Sequence, residues 1–350
     1  MKNSEKMSLF LTLLLAPALL VCAQTAAPKA APRPAAKKAA AKPAAKPAPK
    51  PAVAASTAAV QAPDPVNDAI RNLKSKDPAA RRQAADFLGQ NRSAKSAPEL
   101  LNALADDSPR VRQAAADALG MLNWTEASPK LSELLLKDSD PAVRQQAAIS
   151  LSYIMDQRSG DALVKALKDP QPAVRYSALH TLGVLKYAPA EGEVAALVGE
   201  KDTNLRRAAI AALGQLQSKK SVPAITAALK DPDQYVRLEA IKSLGNIGEK
   251  SAGPGMVKLL AAPETDQVRV EAALALSKLG MNDGLQTAYE FVRSPEPGLR
   301  SQALNVIAAV GDARSLQFVE ELYAAEQDPA AKSMLDFTKQ RLELKLKTQP

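Results

Sequence analysis

One ten-residue phrase recurs along this chain at an almost constant interval. Clear copies are VRQAAADALG (111–120), VRYSALHTLG (174–183) and LRRAAIAALG (205–214). The arginine of the phrase recurs every 31 or 32 residues, at Arg81, Arg112, Arg144, Arg175, Arg206, Arg237, Arg269 and Arg300. A ninth, degenerate copy has Lys332 in that place. Periods of roughly 20 to 50 residues are typical of arrays in which each unit stacks on its neighbours.

The phrase has the apolar spacing of an amphipathic helix. With the arginine as position 0, the residues at −1, +3, +4 and +7 are nearly always aliphatic, and these positions share one helix face. Position −4 is usually a helix-capping residue such as Asp77 or Asp140, and proline often follows it. Gly or Ser is common at +8, where we expect the helix to end. A second helix pattern, for example PELLNALA (98–105), precedes each turn. The predicted unit is therefore helix A, a turn and helix B.

A unit of this size buries too little apolar surface to fold alone, whereas stacking covers both of its flanks. We therefore predict an all-α fold, an α-solenoid (α-α superhelix) of about nine stacked helix pairs over residues 64–348. The A helices should lie on the outside and the B helices along the inner curve.

The phrase V-R-x-x-A-x-x-x-L-G and a D-x-x-x-x-x-R pair resemble HEAT repeats, in the short form known from phycobilisome-lyase-type repeats. The resemblance covers residues 64–348, and the acid–base pairs are Asp106/Arg112, Asp138/Arg144, Asp169/Arg175 and Asp231/Arg237, with Glu200/Arg206 and Glu326/Lys332 as variants. It implies that acid and base bond across neighbouring turns as a structural ladder. Ser75, Pro263 and Ser294 replace the acid in repeats one, seven and eight. We expect the ladder to be interrupted there.

The scarcity of reactive side chains excludes most catalytic sites. The chain has one histidine (His180), one cysteine (Cys22) and one tryptophan. Zinc sites, Ser-His-Asp triads and disulfide frameworks need partners that this composition lacks, and so do the paired His-Glu motifs of deoxyhypusine-hydroxylase-like relatives. The nearest carboxylate pair, Glu239 and Glu271, is interpreted as exposed acids on a solvated helix face. We expect no cofactor, no metal and no enzymatic activity.

The positive charge of the chain is concentrated near its N-terminus. Residues 1–63 hold nine Lys or Arg and one acid, which leaves 37 basic and 36 acidic residues for the remainder. A nucleic-acid-binding domain carries its excess positive charge on the folded surface, and aromatic residues, at 3%, are too few for base stacking. We therefore expect no nucleic-acid partner.

Residues 1–23 have the pattern of a secretory signal peptide. Lys2 and Lys6 precede an apolar stretch, MSLFLTLLLAPALLV (7–21), that is short for a membrane span. Val21-Cys22-Ala23 predicts cleavage before Gln24, and the alternative is lipidation of Cys22. The expected location is exported, in the periplasm or outside the cell, with a lipid anchor through Cys22 as the alternative.

Residues 24–63 are almost entirely Ala, Pro and Lys and contain no acid. Repeated prolines prevent a continuous helix, so we expect a disordered linker. It is interpreted either as a tether or as a polycation that contacts anionic envelope surfaces.

We expect a monomeric, non-catalytic scaffold of a bacterial-type cell envelope that binds a protein partner along the concave B-helix surface. Positions +1 and +5 should face this surface, and in repeats four to seven they include Tyr176, His180, Arg207, Leu238, Lys242, Val270 and Leu274. The alternative for Leu238, Val270 and Leu274 is packing between repeats. The alternative functions are an accessory subunit of an envelope enzyme complex, a lyase-like HEAT-repeat enzyme and a passive spacer.

Overall fold

The computed structural model describes residues 64–348 apart from residue 262, and within these ranges it contains eighteen α-helices and no strand. The predicted signal peptide (1–23) and linker (24–63) lie outside the described residues. The A helices are α1 (Pro65–Asn72), α3 (Ala97–Ala103), α5 (Ser128–Lys137), α7 (Gly160–Ala166), α9 (Glu191–Ala196), α11 (Val222–Ala227), α13 (Gly253–Val257), α15 (Leu285–Phe291) and α17 (Ala313–Ala325). The B helices are α2 (Pro78–Gln90), α4 (Pro109–Met121), α6 (Pro141–Ile154), α8 (Pro172–Leu185), α10 (Thr203–Gln215), α12 (Gln234–Ile247), α14 (Asp266–Lys278), α16 (Pro297–Val310) and α18 (Pro329–Thr348). The helices form nine pairs, one for each repeat, and this confirms the predicted all-α solenoid.

The starts of the B helices follow from their first residues. The Asp77 carboxylate accepts a hydrogen bond from the Ala79 amide at 3.0 Å, and Asp140 accepts one from Ala142 at 2.8 Å. Asp202, Asp233 and Thr265 cap their helices in the same way, whereas Ser108, Gln171 and Glu296 make no side-chain capping bond. The three helices without a side-chain cap, α4, α8 and α16, each begin with a proline. Because proline has no N–H group, each of these helices has one fewer unpaired N–H at its start.

The core lies where the apolar spacing predicts. In α8 the residues at −1, +3, +4 and +7 are Val174, Ala178, Leu179 and Leu182, and all four are fully buried. Each B helix packs against the B helix of the next repeat as well as against its own A helix. Every unit thus covers its neighbour, as expected for a solenoid.

The glycine at +8 does not end the helix, so this prediction is wrong. The helix α2 continues through Gly89 to Gln90, and α10 continues through Gly214 to Gln215. A Cβ added at Gly89 would lie 2.8 Å from the Ala118 Cα of the next B helix. Glycine is therefore needed at +8 because consecutive B helices approach each other closely at this position, and the helix extends past it.

None of the helices in the described ranges is both long enough and apolar enough to cross a membrane.

Candidate protein-binding surface

The recurrent arginine joins each repeat to the next. Arg112 donates from Nε and Nη2 to the two carboxylate oxygens of Asp138, at 2.7 Å each, and from Nη1 to the Asp106 carbonyl oxygen at 2.8 Å. The same two-contact geometry, with distances of 2.6 to 3.0 Å, is found in Arg81–Asp106, Arg144–Asp169 and Arg206–Asp231. The ladder implied by the sequence is therefore present at these four junctions, where the arginine bonds to the acid of the following repeat.

The electrostatics of the ladder are those of a structural ion pair. Burial acts to raise the pKa of Asp138, but hydrogen bonds from Arg112 and from the Asp140 amide hold that pKa below its usual value. Only 3% of the Asp138 side chain and 13% of the Arg112 side chain are exposed. These ionised groups are paired with one another and hardly accessible, so they rigidify the stack and offer little to a ligand.

The ladder is interrupted at other places than predicted. Arg237 of repeat six bonds to Glu264 of repeat seven, at 2.8 Å, beside the substituted Pro263. Arg269 of repeat seven bonds to Glu290 of repeat eight, four residues before Ser294. The expected interruptions at Pro263 and Ser294 are therefore wrong, because neighbouring acids reach the arginines.

Repeat one is the first repeat in the described part of the chain, so no ladder arginine precedes it, and its Ser75 carbonyl oxygen accepts from Arg81 at 2.9 Å, as the Asp106 carbonyl oxygen accepts from Arg112. Among the described residues, Arg175 and Arg300 have no carboxylate within 4.0 Å, although Glu200 and Glu326 occupy the expected positions. The open rungs are thus those after repeats four and eight.

Five of the seven residues predicted to bind a partner are at least partly accessible, and four of them are polar or aromatic. His180, Arg207 and Lys242 are exposed, and Tyr176 is half-buried. The Tyr176 hydroxyl donates to the Asp202 carboxylate at 2.6 Å, and burial together with this bond raises the pKa of Tyr176 to about 12. The Tyr176 side chain is therefore neutral, and its hydrogen bond to Asp202 holds it in place at the surface.

The apolar residues predicted beside them lie deeper. Leu238 is 5% exposed and Val270 is fully buried, and both belong to the core between repeats. The expectation that these two side chains lie on the surface is wrong, because both pack in the core between consecutive B helices. Leu274 is half-buried against the same core. The alternative of packing between repeats accounts for all three.

Exposed apolar residues occur at a position that the sequence reasoning missed. Met121 and Tyr153 stand at +9 in repeats two and three, and they are 38% and 57% exposed. Position +9 lies one further helical turn beyond +5 on the same side of the helix. Position +9 lies beyond the +8 residue at which the B helix was expected to end, and the helices α4 and α6 include it. We call the residues at +1, +5 and +9 of the B helices the B-helix stripe.

The stripe changes in character along the array. In repeats two to four five of its nine accessible residues are apolar or aromatic, namely Met121, Ile149, Tyr153, Tyr176 and Val184, and the other four are Gln113, Asp117, Gln145 and His180. In repeats five to seven the exposed residues include Arg207, Lys242 and Lys278. The stripe therefore joins an apolar half to a basic half.

Two carboxylates lie beside the basic half. Glu271 is only 5% exposed and accepts a hydrogen bond from Gln302 at 2.9 Å. Burial raises the pKa of Glu239, Arg207 and Lys242 lower it, and Glu271 raises it further. The interpretation of Glu239 and Glu271 as acids on a solvated face is wrong, because the next B helix covers position +2.

The apolar half also contains an acid, the half-buried Asp117 at +5 of repeat two. Burial and the neighbouring Asp86 raise the pKa of Asp117, while Gln146 donates to it at 2.9 Å. No group of three or more potential metal-ligating side chains comes together in the described ranges. What the surface offers chemically is contact area, a basic flank and two acids, Asp117 and Glu239, whose pKa is raised by burial.

Comparison with known proteins agrees with this architecture. The family model of HEAT repeats matches residues 25–120, 66–152, 128–197, 190–277 and 253–335. No curated protein matches the sequence significantly.

Several solved structures resemble the fold. The complex of CpcE and CpcF of phycocyanin lyase from Nostoc sp. PCC7120 is 25% identical, covers 74% of this chain and 98% of its own, and has a TM-score of 0.43. The Escherichia coli protein YibA is 20% identical, and the match covers 77% of this chain and 98% of YibA, with a TM-score of 0.54. Human deoxyhypusine hydroxylase is 21% identical, and the match covers 70% of this chain and 96% of the hydroxylase, with a TM-score of 0.33. The likeness to YibA, with a TM-score above 0.5 and an identity below 25%, bears on the fold alone. With the tandem matches, the repeated phrase and the paired helices, the chain belongs to the HEAT-repeat family.

Proposed function

We propose that this chain is a non-catalytic scaffold that binds a protein partner along the B-helix stripe. The observation that carries the proposal is the exposure of Met121 and Tyr153 at equivalent positions of adjacent, closely packed B helices. Folding does not need large apolar groups on this surface, and exposed aromatic and methionine side chains on rigid helices are common anchors of interfaces.

The charge of the stripe suggests the chemistry of the partner. Arg207, Lys242 and Lys278 are exposed in repeats five to seven. A partner that presents apolar groups to repeats two and three and acidic groups to these cations would match both halves of the stripe. The geometry thus favours an elongated partner over a compact one.

The proposed location is the cell envelope or the exterior of the cell. It is supported by the sequence alone, since Lys2 and Lys6 before the apolar stretch, and the small residues around Cys22, are typical of export signals. The basic linker (24–63) would then hold the solenoid away from, or against, an anionic surface. Intact-mass measurement of the exported chain tests this point, because a start at Gln24 and a lipid on Cys22 differ in mass.

The binding proposal is tested by the double variant Met121→Ser, Tyr153→Ser. The full chain is used as bait in an envelope extract, and the proteins it retains are quantified by mass spectrometry. We expect the variant to keep its helical circular dichroism and to lose the retained partner, because both side chains are exposed. Tyr235→Ser is the matched control, since Tyr235 is 53% exposed on α12 but stands at −2, outside the stripe.

Equal retention by the wild type, the double variant and the control would contradict the proposal. If a retained partner is an enzyme whose activity depends on the bait, the accessory-subunit alternative is supported instead.

A further inference from the structure

Arg300 holds the ladder position of repeat eight but lacks the carboxylate that its counterparts bind. Its Nη1 donates to the Ser294 carbonyl oxygen at 3.1 Å, as Arg112 does to Asp106. Its Nε is buried and has no hydrogen-bond partner among the described residues. In four other repeats Nε and Nη2 together bind two carboxylate oxygens. The same edge of Arg300 makes no bond within the described chain; its Nε is enclosed by protein, as in Arg237, and Nη2 is the donor that remains open to a ligand.

Glu326, the acid at the matching position of repeat nine, forms no ion pair with Arg300. The Oε1 atom of Glu326 accepts from the amides of Gln327 and Asp328, at 2.8 and 2.9 Å. Its carboxylate is more than 4.0 Å from the Arg300 nitrogens, yet the residue lines the same cavity. Asp138 makes a similar bond to the Asp140 amide while it pairs with Arg112, whereas Glu326 makes the amide bonds but no ion pair with Arg300.

A cavity of about 290 Å³ lies beside this donor edge, between repeats eight and nine. Its walls include the apolar side chains of Leu304, Leu322, Met334 and Leu335, and Arg293 lines it as well. This volume is at the lower end of the range for small-molecule sites, roughly 300 Å³. The corresponding cavity between repeats two and three is different, because Asp138 already occupies Arg112 there.

The chemistry of the ligand follows from these two features. The Nη2 of Arg300 makes no hydrogen bond within the described chain, and a carboxylate that accepts from it forms a charge-assisted pair with the guanidinium. The apolar walls favour an aliphatic group attached to that carboxylate. Phosphate or sulfate suits the cavity poorly, since both would place further charge against the leucines and Glu326.

We propose that this cavity binds a carboxylate joined to a short branched aliphatic group, with Arg300 as its counter-ion. Two sources present this chemistry, a free branched-chain carboxylic acid and the C-terminal carboxylate of a peptide that ends in an aliphatic residue. The site lies at the turn between α15 and α16, apart from the B-helix stripe. It does not depend on the proposed function.

The full chain is titrated by calorimetry with 4-methylpentanoate and, separately, with N-acetyl-alanyl-leucine. The matching primary amides of both compounds are the ligand controls. We expect the acids to bind and the amides to bind at least tenfold more weakly, because the amides lack the charge. The tighter of the two acids identifies the source. No binding of either acid at millimolar concentration, or equal binding of acid and amide, overturns the proposal.

Two sets of variants make the test specific. Arg300→Met should weaken acid binding at least tenfold, whereas Arg175→Met, at the other open rung, should leave it unchanged. Arg300→Lys keeps the positive charge but removes the guanidinium, and it should bind the acids with an affinity between those of the wild type and Arg300→Met. It serves as the test variant if Arg300→Met does not fold. An equal loss of binding in Arg175→Met contradicts the assignment.

Glu326→Gln decides whether the site is open in solution. We expect it to strengthen acid binding severalfold, because it removes a like charge from the cavity. A large fall in melting temperature, together with unchanged or absent acid binding, would instead mean that Glu326 itself pairs with Arg300, and the proposal would fail.

Discussion

Asp138 and Arg112 bond to each other across the junction of repeats two and three, through Nε–Oδ2 and Nη2–Oδ1 contacts of 2.7 Å each. The same aspartate accepts from the Asp140 amide at 2.9 Å, and its carbonyl oxygen accepts from Arg144 at 2.9 Å. One residue therefore connects three successive structural features: the previous repeat, its own turn and its own B helix. This connectivity makes the ladder a determinant of stability.

Asp138→Ala should lower the free energy of unfolding by about 2–4 kcal/mol, because it leaves the nearly buried Arg112 guanidinium without its counter-ion. Urea unfolding followed by circular dichroism measures the change. The control is Glu133→Ala, which removes an exposed pair with Lys137 and should cost less than about 0.5 kcal/mol. Identical urea midpoints for Asp138→Ala and the wild type would show that the ladder adds no stability. We further expect Asp138→Ala to leave partner binding intact wherever the stack remains folded.

The ladder should also set the acid stability of the protein. Burial acts to raise the pKa of Asp106, Asp138, Asp169 and Asp231, but the arginine bonds hold each pKa below the ordinary value of 3.8. A lowered folded-state pKa contributes stability that is fully present above the unfolded value and is lost as the pH falls through the folded value. These four aspartates should therefore cause no change in the urea midpoint with pH above about pH 5, and the midpoint should fall steeply below about pH 4. Asp138→Asn should differ from the wild type at pH 6 and approach it at pH 2.5, and a constant difference would contradict the linkage.

Glu239→Gln should act in the opposite direction. Burial raises the pKa of Glu239, so the ionised form is disfavoured in the folded state, and stability from this group increases as the pH falls through the raised pKa. A neutral glutamine should thus raise the melting temperature at pH 7, with the gain shrinking toward pH 4. Glu193→Gln, at an exposed position on α9, should change little at either pH. A lower melting temperature for Glu239→Gln at pH 7 would mean that Arg207 and Lys242 outweigh burial.

The periodic arginines predict the number of repeats, the helix pairs and the core positions, because −1, +3, +4 and +7 depend on the period of a helix alone. Other features depend on the distance between helices. Leu238 and Lys242 were both expected on the surface, yet only Lys242 is exposed. Whether position +1 is covered depends on how closely two B helices approach, and that distance is set by side chains of both helices. Sequence spacing within one repeat does not contain it.

The ladder shows the same limit. Glu264 and Glu290 lie outside the D-x-x-x-x-x-R spacing, and they nevertheless bond to Arg237 and Arg269. A glutamate side chain can reach an arginine from a neighbouring position of the turn, so a motif with fixed spacing misses it. The reverse happens at Glu200, which has the right spacing but forms no rung with Arg175 within the described chain.

The close approach of the B helices gives the last prediction, which compares two glycines in helices. A Cβ at Gly89 would lie 2.8 Å from the Ala118 Cα, whereas a Cβ at Gly192 would have no neighbouring atom within 4 Å. Gly89→Ala should therefore destabilise the protein by about 1–3 kcal/mol, because the backbone of α4 must move to admit the methyl group. Gly192→Ala should stabilise it by about 0.5–1 kcal/mol, because alanine loses less conformational freedom than glycine in a helix. Urea unfolding of the two variants, measured beside the wild type, should give midpoint changes of opposite sign. A stabilising Gly89→Ala would show that consecutive B helices are farther apart than this structure places them, and the burial of Leu238 and Val270 would then have to be reconsidered as well.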